Sequence, residues 1–153
     1  MAVYVVLGPG PMFKGGIANY AASFARTLSQ DPRNEVYLVS WSRQYPAIIP
    51  RDFIDRASRQ DVLAGSRVQV VYLLDYNNPW SWYRTADYII GLKPQAVFVQ
   101  WTIALQGLPL GVVLRRLGQR APGIERVLDL HNVGQKENSI LDRRFARQAF
   151  LAA

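Results

Sequence analysis

Five short apolar runs alternate along this chain with longer stretches that have helical spacing. The runs are rich in Val, Tyr and Leu with little polar alternation, which is typical of strands buried on both faces of a parallel sheet. A repeated βαβ order predicts an α/β fold, a Rossmann-like open parallel sheet with helices on both faces, in one domain over residues 1–153. The predicted strands cover residues 2–7, 36–41, 68–74, 96–101 and 127–130.

The clearest predicted helix follows the first strand. Its apolar residues recur at the spacing of one helical face, and Asp31-Pro32 ends it. Residues 80–92 and 110–117 are also predicted to be helical. The apolar positions of the first helix are Ile17, Ala21, Phe24, Ala25 and Leu28.

The composition excludes several kinds of site. The chain of 153 residues has no cysteine, and His131 is its only histidine. A disulfide framework, a thiolate zinc site, a cysteine nucleophile and any site with two imidazoles are therefore excluded, and no metal site is expected. The start of the chain resembles neither a signal peptide nor a membrane span, so we expect a cytoplasmic protein.

The net charge of +7 comes mostly from arginine. The arginines are scattered rather than clustered with stacking aromatic residues, so a nucleic-acid partner ranks last. Anionic ligands or an anionic membrane surface fit a scattered arginine surface better, although a simply solvated surface is equally compatible with it.

A glycine-rich loop follows the first predicted strand and leads into the first helix. The helix lacks a Ser, Thr or Asp cap, so its first amides are free to bind an anion, with Lys14 close by. The alternative is an ordinary turn, since glycine is itself a tolerated cap. A dinucleotide fingerprint fails because Phe13 stands where its third glycine belongs, and a P-loop fails because Lys14 precedes Gly15 and Gly16.

Polar and aromatic residues follow the third, fourth and fifth predicted strands. Carboxyl ends of parallel strands meet at one rim of the sheet, and this mixture suits a carbohydrate or another polyol. Alternatively, Trp82 and Trp101 belong to the core and His131 is structural. Asp129 is expected to face the sheet layers or pair with an arginine rather than act in catalysis. The three groups are residues 75–82, 100–102 and 129–132.

Two further segments break the alternation. Residues 42–66 contain two prolines, four arginines and apolar residues such as Ile48 and Phe53, and the segment is too long for a plain connection, so we predict a functional loop. Arginines beside apolar residues suit contact with an anionic membrane surface. Residues 139–153 are predicted to form a helix with Leu141, Phe145 and Ala149 on one side. That helix has no stop signal, so we expect the natural chain to continue.

Several of these segments together resemble the N-terminal half of a family 4 glycosyltransferase with the GT-B fold. The resemblance spans most of the chain. The segments that carry it are PMFKGGIANYAASFARTL (11–28), WSRQYP (41–46), NPWSWYRTADYI (78–89), LKPQAVFVQW (92–101) and LHNVGQKENSILDRRF (130–145).

The resemblance implies transfer of a hexose from a nucleotide sugar to a hydroxyl of a carbohydrate or lipid-linked acceptor, with retention of configuration and without a required metal or cofactor. It implies that His131 faces the transferred sugar as a catalytic residue, and that a C-terminal domain of the same protein binds most of the donor, so this chain alone should be inactive. It places Lys14, Gly15, Gly16 and Ile17 at the donor diphosphate, and Asn19, Tyr20, Asp75, Gln100, Trp101, Asn132 and Glu137 at the acceptor.

Two other functions remain open on the sequence. A nicotinamide-dependent oxidoreductase domain is also an open α/β sheet with a glycine loop. A non-catalytic module that binds an anion or a partner protein would use the basic surface and exposed aromatic residues.

Overall fold

A computed structural model describes residues 1–13, 15–48, 62–102, 104–131 and 147 of the chain. In this part of the chain five strands form one sheet, every neighbouring pair is parallel, and the order is β3-β2-β1-β4-β5. The predicted α/β fold with an open parallel sheet is confirmed. The strands are β1 (Ala2–Leu7), β2 (Asn34–Arg43), β3 (Gln69–Asp75), β4 (Ala96–Trp101) and β5 (Glu125–Leu130).

In the described ranges three helices connect strands: α1 (Gly16–Ser29), α2 (Pro79–Leu92) and α3 (Gly107–Arg120), the last preceded by a short 3₁₀ helix, Ala104–Gln106. The prediction placed α3 only at residues 110–117. The helix starts earlier because Pro109 lies in its first turn, where a missing N–H costs nothing.

Strand β5 begins two residues before the predicted strand 127–130, at two polar residues. Glu125 and Arg126 pair with Ala96 and Val97 of β4. Backbone pairing with a neighbour extends a strand through residues that an apolar pattern does not detect.

Alternate residues of β1 pack into two separate hydrophobic clusters. Val5 and Leu7 pack in a cluster with α2 and α3, whereas Val6 packs in a cluster with α1. Helices therefore cover both faces of the sheet, as predicted. Trp82 and Trp101 belong to the α2 and α3 cluster, with 8% and 2% of their surface exposed, so the core alternative holds for both.

The strand order reverses between β1 and β4. These two strands are neighbours, but the chain runs from β1 through α1 to β2 on one side, and from β4 through α3 to β5 on the other. In open α/β sheets, ligands bind at such a point, in the crevice outside the carboxyl ends of the strands.

Some predictions fall on residues outside the described ranges. These are the helix at 139–153, apart from Arg147, and residues 49–61 of the predicted membrane loop. Within the described part of that loop, Ile48 has 89% of its surface exposed. Among the described residues, none of the helices combines the length and the apolar character needed to cross a bilayer.

Candidate functional site

The loop after β1 is tied to the end of β2. Gly8 donates its backbone N–H to the Val39 carbonyl at 3.1 Å, and Gly10 donates to the buried Ser40 Oγ at 2.7 Å. A Cβ on Gly8 would lie 2.8 Å from both Cβ and Cγ of Gln100, so only glycine fits where β1 passes the end of β4. The sequence predicted a glycine-rich loop here, and the structure adds that hydrogen bonds to Val39 and Ser40 fix this part of it.

The N-terminus of α1 is open. Gly15 precedes the helix with φ 110° and ψ 168°, a conformation that favours glycine, and no side chain among the described residues caps the helix. A Cβ on Gly15 or Gly16 would have no neighbour within 4 Å. The first amides of α1 have no intrahelical partner, and the helix dipole favours negative charge near them. The predicted uncapped start is confirmed.

His131 follows β5 directly and is held at the end of β4. Its backbone N–H donates to the Trp101 carbonyl at 3.2 Å, and its Nε2 lies 2.6 Å from Oε1 of Gln100. Gln100 is almost fully buried, with 1% exposed. The His131 side chain is 18% exposed. Contacts with β4 therefore fix the imidazole, while part of its surface stays exposed at the carboxyl ends of the strands.

Tyr20 of α1 holds the same imidazole from the side. The rings of Tyr20 and His131 meet edge to face with 4.6 Å between their centroids. A hydrogen bond to the Asp129 carboxylate, together with partial burial and the charge of that carboxylate, raises the pKa of Tyr20. Asp129 Oδ2 also lies 3.9 Å from His131 Nε2.

The expectation for Asp129 is corrected in part. In the described residues its neighbours are Tyr20 and His131 rather than an arginine. The sequence held a signal for this arrangement, because residues two apart in a strand share a face. Asp129 also pairs in register with Gln100, so the three polar side chains meet on the α1 side of the sheet.

Aromatic packing anchors Tyr20 to the sheet. Tyr20 stacks on Phe24 with 6.2 Å between ring centroids and 3° between planes. Phe24 in turn meets Phe98 of β4 edge to face at 5.1 Å. Because Tyr20 follows Gly16 by four residues, the imidazole contact lies about 6 Å along the axis from the start of α1. The open helix end and His131 therefore border one crevice.

Not all predicted acceptor residues reach this crevice. Asp75 ends β3, four strands from β5, which is roughly 19 Å at about 4.8 Å per strand. Its Oδ1 accepts the Asn77 N–H at 2.9 Å, and its carbonyl accepts from Trp82 Nε1 at 2.8 Å. Asp75 thus stabilises the turn before α2, away from His131, and its role in acceptor binding stays a prediction.

The remaining predicted site residues divide into three groups. Trp101 packs in the core on the opposite face from Gln100, so its prediction as an acceptor contact gains no support. Asn19 is exposed on α1, and Ile17 is half-buried beside the open helix end. Lys14, Asn132 and Glu137 lie outside the described residues.

The aromatic residues that begin α2 form a separate surface. Trp80, 74% exposed, and Tyr83 line a cleft of about 540 Å³ with Arg84, Asp87 and Arg116. Arg116 pairs with both oxygens of Asp87, at 2.7 and 2.9 Å, and lies over the Tyr83 ring. This cleft belongs to α2 and α3, not to the crevice beside His131.

The sequence analysis missed a buried polar chain beside the crevice. Thr102 Oγ1 donates to Gln106 Oε1 at 2.7 Å, and Gln106 Nε2 donates to Gln44 Oε1 at 3.4 Å. All three residues are buried. The chain links the end of β4, the 3₁₀ helix and the segment after β2. A glutamine within the apolar run before α3 was the available signal.

No protein-family model, curated protein or solved structure matches this chain. Within the described residues, no three potential metal ligands of the His, Cys, Asp and Glu types lie together. Functional interpretation therefore depends on the crevice and on the residue pattern of the sequence.

Proposed function

We propose that this chain is the N-terminal, acceptor-side domain of a retaining glycosyltransferase of the GT-B type. Its reaction is the transfer of a hexose from a nucleotide sugar to a hydroxyl of a carbohydrate or lipid-linked acceptor. The observation that carries the proposal is the crevice between β1 and β4, where an uncapped helix end lies about one turn from a fixed imidazole. A sugar diphosphate presents the matching pair of groups, an anion beside a ring of hydroxyls.

Each end of the crevice has a separate role in this proposal. The first amides of α1, at Gly16 and Ile17, stabilise the negative charge that collects on the leaving diphosphate, and the helix dipole adds to that effect. His131 binds and orients the transferred sugar as the catalytic residue of this domain. The resemblance to family 4 glycosyltransferases implies that a second domain completes the nucleotide site.

Phe13 favours this proposal over a nicotinamide-dependent oxidoreductase. In a dinucleotide fingerprint the third glycine allows close packing of the helix on the strand. Phe13 takes that place here and is buried in the core with 5% exposed. The helix begins only at Gly16, three residues later, so the turn has a different geometry from a dinucleotide-binding turn.

Ligand titration followed by NMR tests the proposal on the chain itself. UDP-glucose, GDP-mannose, the corresponding diphosphates and inorganic phosphate are each added to ¹⁵N-labelled chain. A nucleotide sugar should shift the Gly16 amide and the His131 imidazole together. Phosphate that shifts only the Gly16 amide would favour the non-catalytic anion-binding module. If none of these ligands shifts either signal, even at high millimolar concentration, the proposed roles of the α1 amides and His131 are contradicted.

A matched pair of glycine variants separates binding from folding. Gly16→Ala places a methyl group in open space before the helix amides and should weaken the response to diphosphates. Gly91→Ala adds the same methyl group in open space on α2, away from the crevice, and should leave the response unchanged.

An activity assay on the full-length natural protein tests the role of His131. His131→Ala should reduce the rate of sugar transfer about 100-fold or more, which is typical of removing one preorganised polar contact. His131→Gln, which retains a polar side chain, controls for the loss of the hydrogen bond to Gln100. Transfer at the unchanged rate in both variants would refute the assigned role.

A further inference from the structure

We infer that Gln100 is a positioning residue that keeps the proton of neutral His131 on Nε2. Nδ1 is then the ring nitrogen left to accept a hydrogen bond from a ligand. The consequence for ligand choice rests on the proposed function, whereas the proton position is a property of this chain alone and is measured without a ligand.

The first argument is the contact itself. Gln100 Oε1 lies 2.6 Å from His131 Nε2. In this orientation of the Gln100 amide its oxygen faces the ring, and because an amide oxygen only accepts, Nε2 is the donor. Packing restricts the Gln100 side chain, because its Cβ and Cγ lie directly against Gly8 and the residue is 1% exposed.

A second argument comes from Asp129, which is independent of Gln100. Its Oδ2 lies 3.9 Å from the same Nε2. At that distance the carboxylate is too far for a good hydrogen bond, but its charge favours an N–H over a lone pair at Nε2. Tyr20 hydrogen-bonds to Asp129 and packs against the His131 ring, so both groups are held in this arrangement.

The arrangement has an energetic cost that structural packing does not explain. Gln100 Nε2 is buried without a hydrogen-bond partner among the described residues. Such a group loses its hydrogen bond to water on folding and gains none in return, which is destabilising. An apolar side chain would fill the same space without that cost, whereas only an acceptor at this position fixes the imidazole proton.

The proton position determines which ligand group suits this end of the crevice. With Nδ1 as the acceptor and Asp129 carrying a negative charge nearby, the His131 end of the crevice favours a hydrogen-bond donor such as a sugar hydroxyl. An oxyanion is disfavoured there and is directed to the open end of α1. Gln100 thus acts through His131 and contributes to the orientation of a sugar diphosphate.

Because His131 is the only histidine, ¹⁵N NMR of the chain shows a single imidazole ring and needs no assignment. At a pH where the ring is neutral, we expect the Nε2–H tautomer with a slowly exchanging Nε2 proton. A proton found on Nδ1 would mean that the Gln100 amide nitrogen donates to His131, and would overturn the inference. A rapidly exchanging ring proton would also overturn it.

Two variants of Gln100 separate proton placement from simple packing. Gln100→Glu keeps an acceptor, so it should keep the Nε2–H tautomer and the slowly exchanging Nε2 proton. Gln100→Leu keeps most of the volume but removes the acceptor, and the slowly exchanging proton signal should disappear. Gln69→Leu, at the exposed start of β3, is the control and should leave the signal in place.

Opposite outcomes in the variants are equally informative. A slowly exchanging Nε2 proton that persists in folded Gln100→Leu would contradict a role for Gln100. If the leucine variant fails to fold, the unchanged chain and Gln100→Glu still decide the question. If no diphosphate, phosphate or nucleotide sugar shifts the Gly16 amide or the His131 ring, the proposed function is contradicted while the measured tautomer stays as it is, so the two failures are distinguishable.

Discussion

The ring of Tyr20 stands nearly perpendicular to the ring of His131, at 78° and with 4.6 Å between the centroids. This contact joins the second turn of α1 to the end of β5. The imidazole position therefore depends on the position of the helix whose open N-terminus borders the same crevice. Changes at Tyr20, in the glycine loop or at the end of β2 should all be measurable at His131.

Tyr20→Phe should make the free energy of unfolding less dependent on pH in the alkaline range. The pKa of Tyr20 is raised in the folded protein, mainly by the hydrogen bond to Asp129, so the folded state holds this proton more tightly than the unfolded state. The resulting stability is fully present below about pH 10 and is lost as pH rises through the folded pKa. Urea unfolding between about pH 8 and 11 measures it.

Tyr83→Phe is the matched control for Tyr20→Phe, because Tyr83 and Tyr20 are 41% and 44% exposed. The alkaline slope of Tyr20→Phe should be flatter than the slope of this control. Equal slopes in all three proteins would show that the Tyr20 to Asp129 hydrogen bond contributes nothing to stability.

Three glycine-to-alanine changes should have different effects on stability. Gly15→Ala should lower the free energy of unfolding by about 1–3 kcal/mol, because its φ of 110° is strained for any L side chain. Gly91→Ala should raise it by about 0.5–1 kcal/mol, because alanine is the better helix former and its Cβ meets nothing. Gly16→Ala should not be destabilising. Thermal unfolding gives the order, and a neutral Gly15→Ala would contradict the described start of α1.

Gly8→Ala should change the environment of His131 indirectly, through Gln100. The new Cβ would lie 2.8 Å from Gln100 Cβ and Cγ, so Gln100 must shift, at a cost of about 1–3 kcal/mol. The imidazole signal of His131 should move as well. Combining Gly8→Ala with Gln100→Ala removes Cγ, one of the two crowded carbons, and relieves part of the clash, so the double variant should be more stable than the sum of the single effects predicts. If the changes in the free energy of unfolding simply add, there is no steric interaction between residues 8 and 100.

Ser40→Ala should loosen the glycine loop. The buried Ser40 Oγ accepts the Gly10 N–H at 2.7 Å, and its loss leaves that donor without this partner, at a cost of about 1–3 kcal/mol. Hydrogen exchange of the Gly10 amide should become faster. Ser42→Ala removes a longer, partly buried bond to the Leu74 carbonyl, 3.4 Å, and should cost less. Equal losses in the two variants would argue against this role for Ser40.

The sequence predicted the fold well because parallel strands and their helices are encoded by local patterns. Buried strands such as β1 and β4 consist of apolar residues apart from Gln100, and the residues of α1 repeat at helical spacing, so both were found with their bounds nearly correct. The uncapped start of α1 could also be predicted, because it depends on which residues are adjacent in the chain. The ends of β5 and α3 depend on pairing and packing, and were placed too narrowly.

The composition of the crevice was decided by tertiary structure. Asp75 ends β3 and His131 follows β5, and the sequence could not show that three strands lie between β3 and β5, because strand order is not a local property. The pairing of β4 with β5 brings Gln100 to His131 and Asp129, and the packing of α1 brings Tyr20 to the same ring. The sequence by itself determined the strands, the helices and the free amides of α1, which depend on neighbours along the chain. Only the tertiary structure decided which side chains share the crevice, because those contacts depend on the order and register of strands that are distant in sequence.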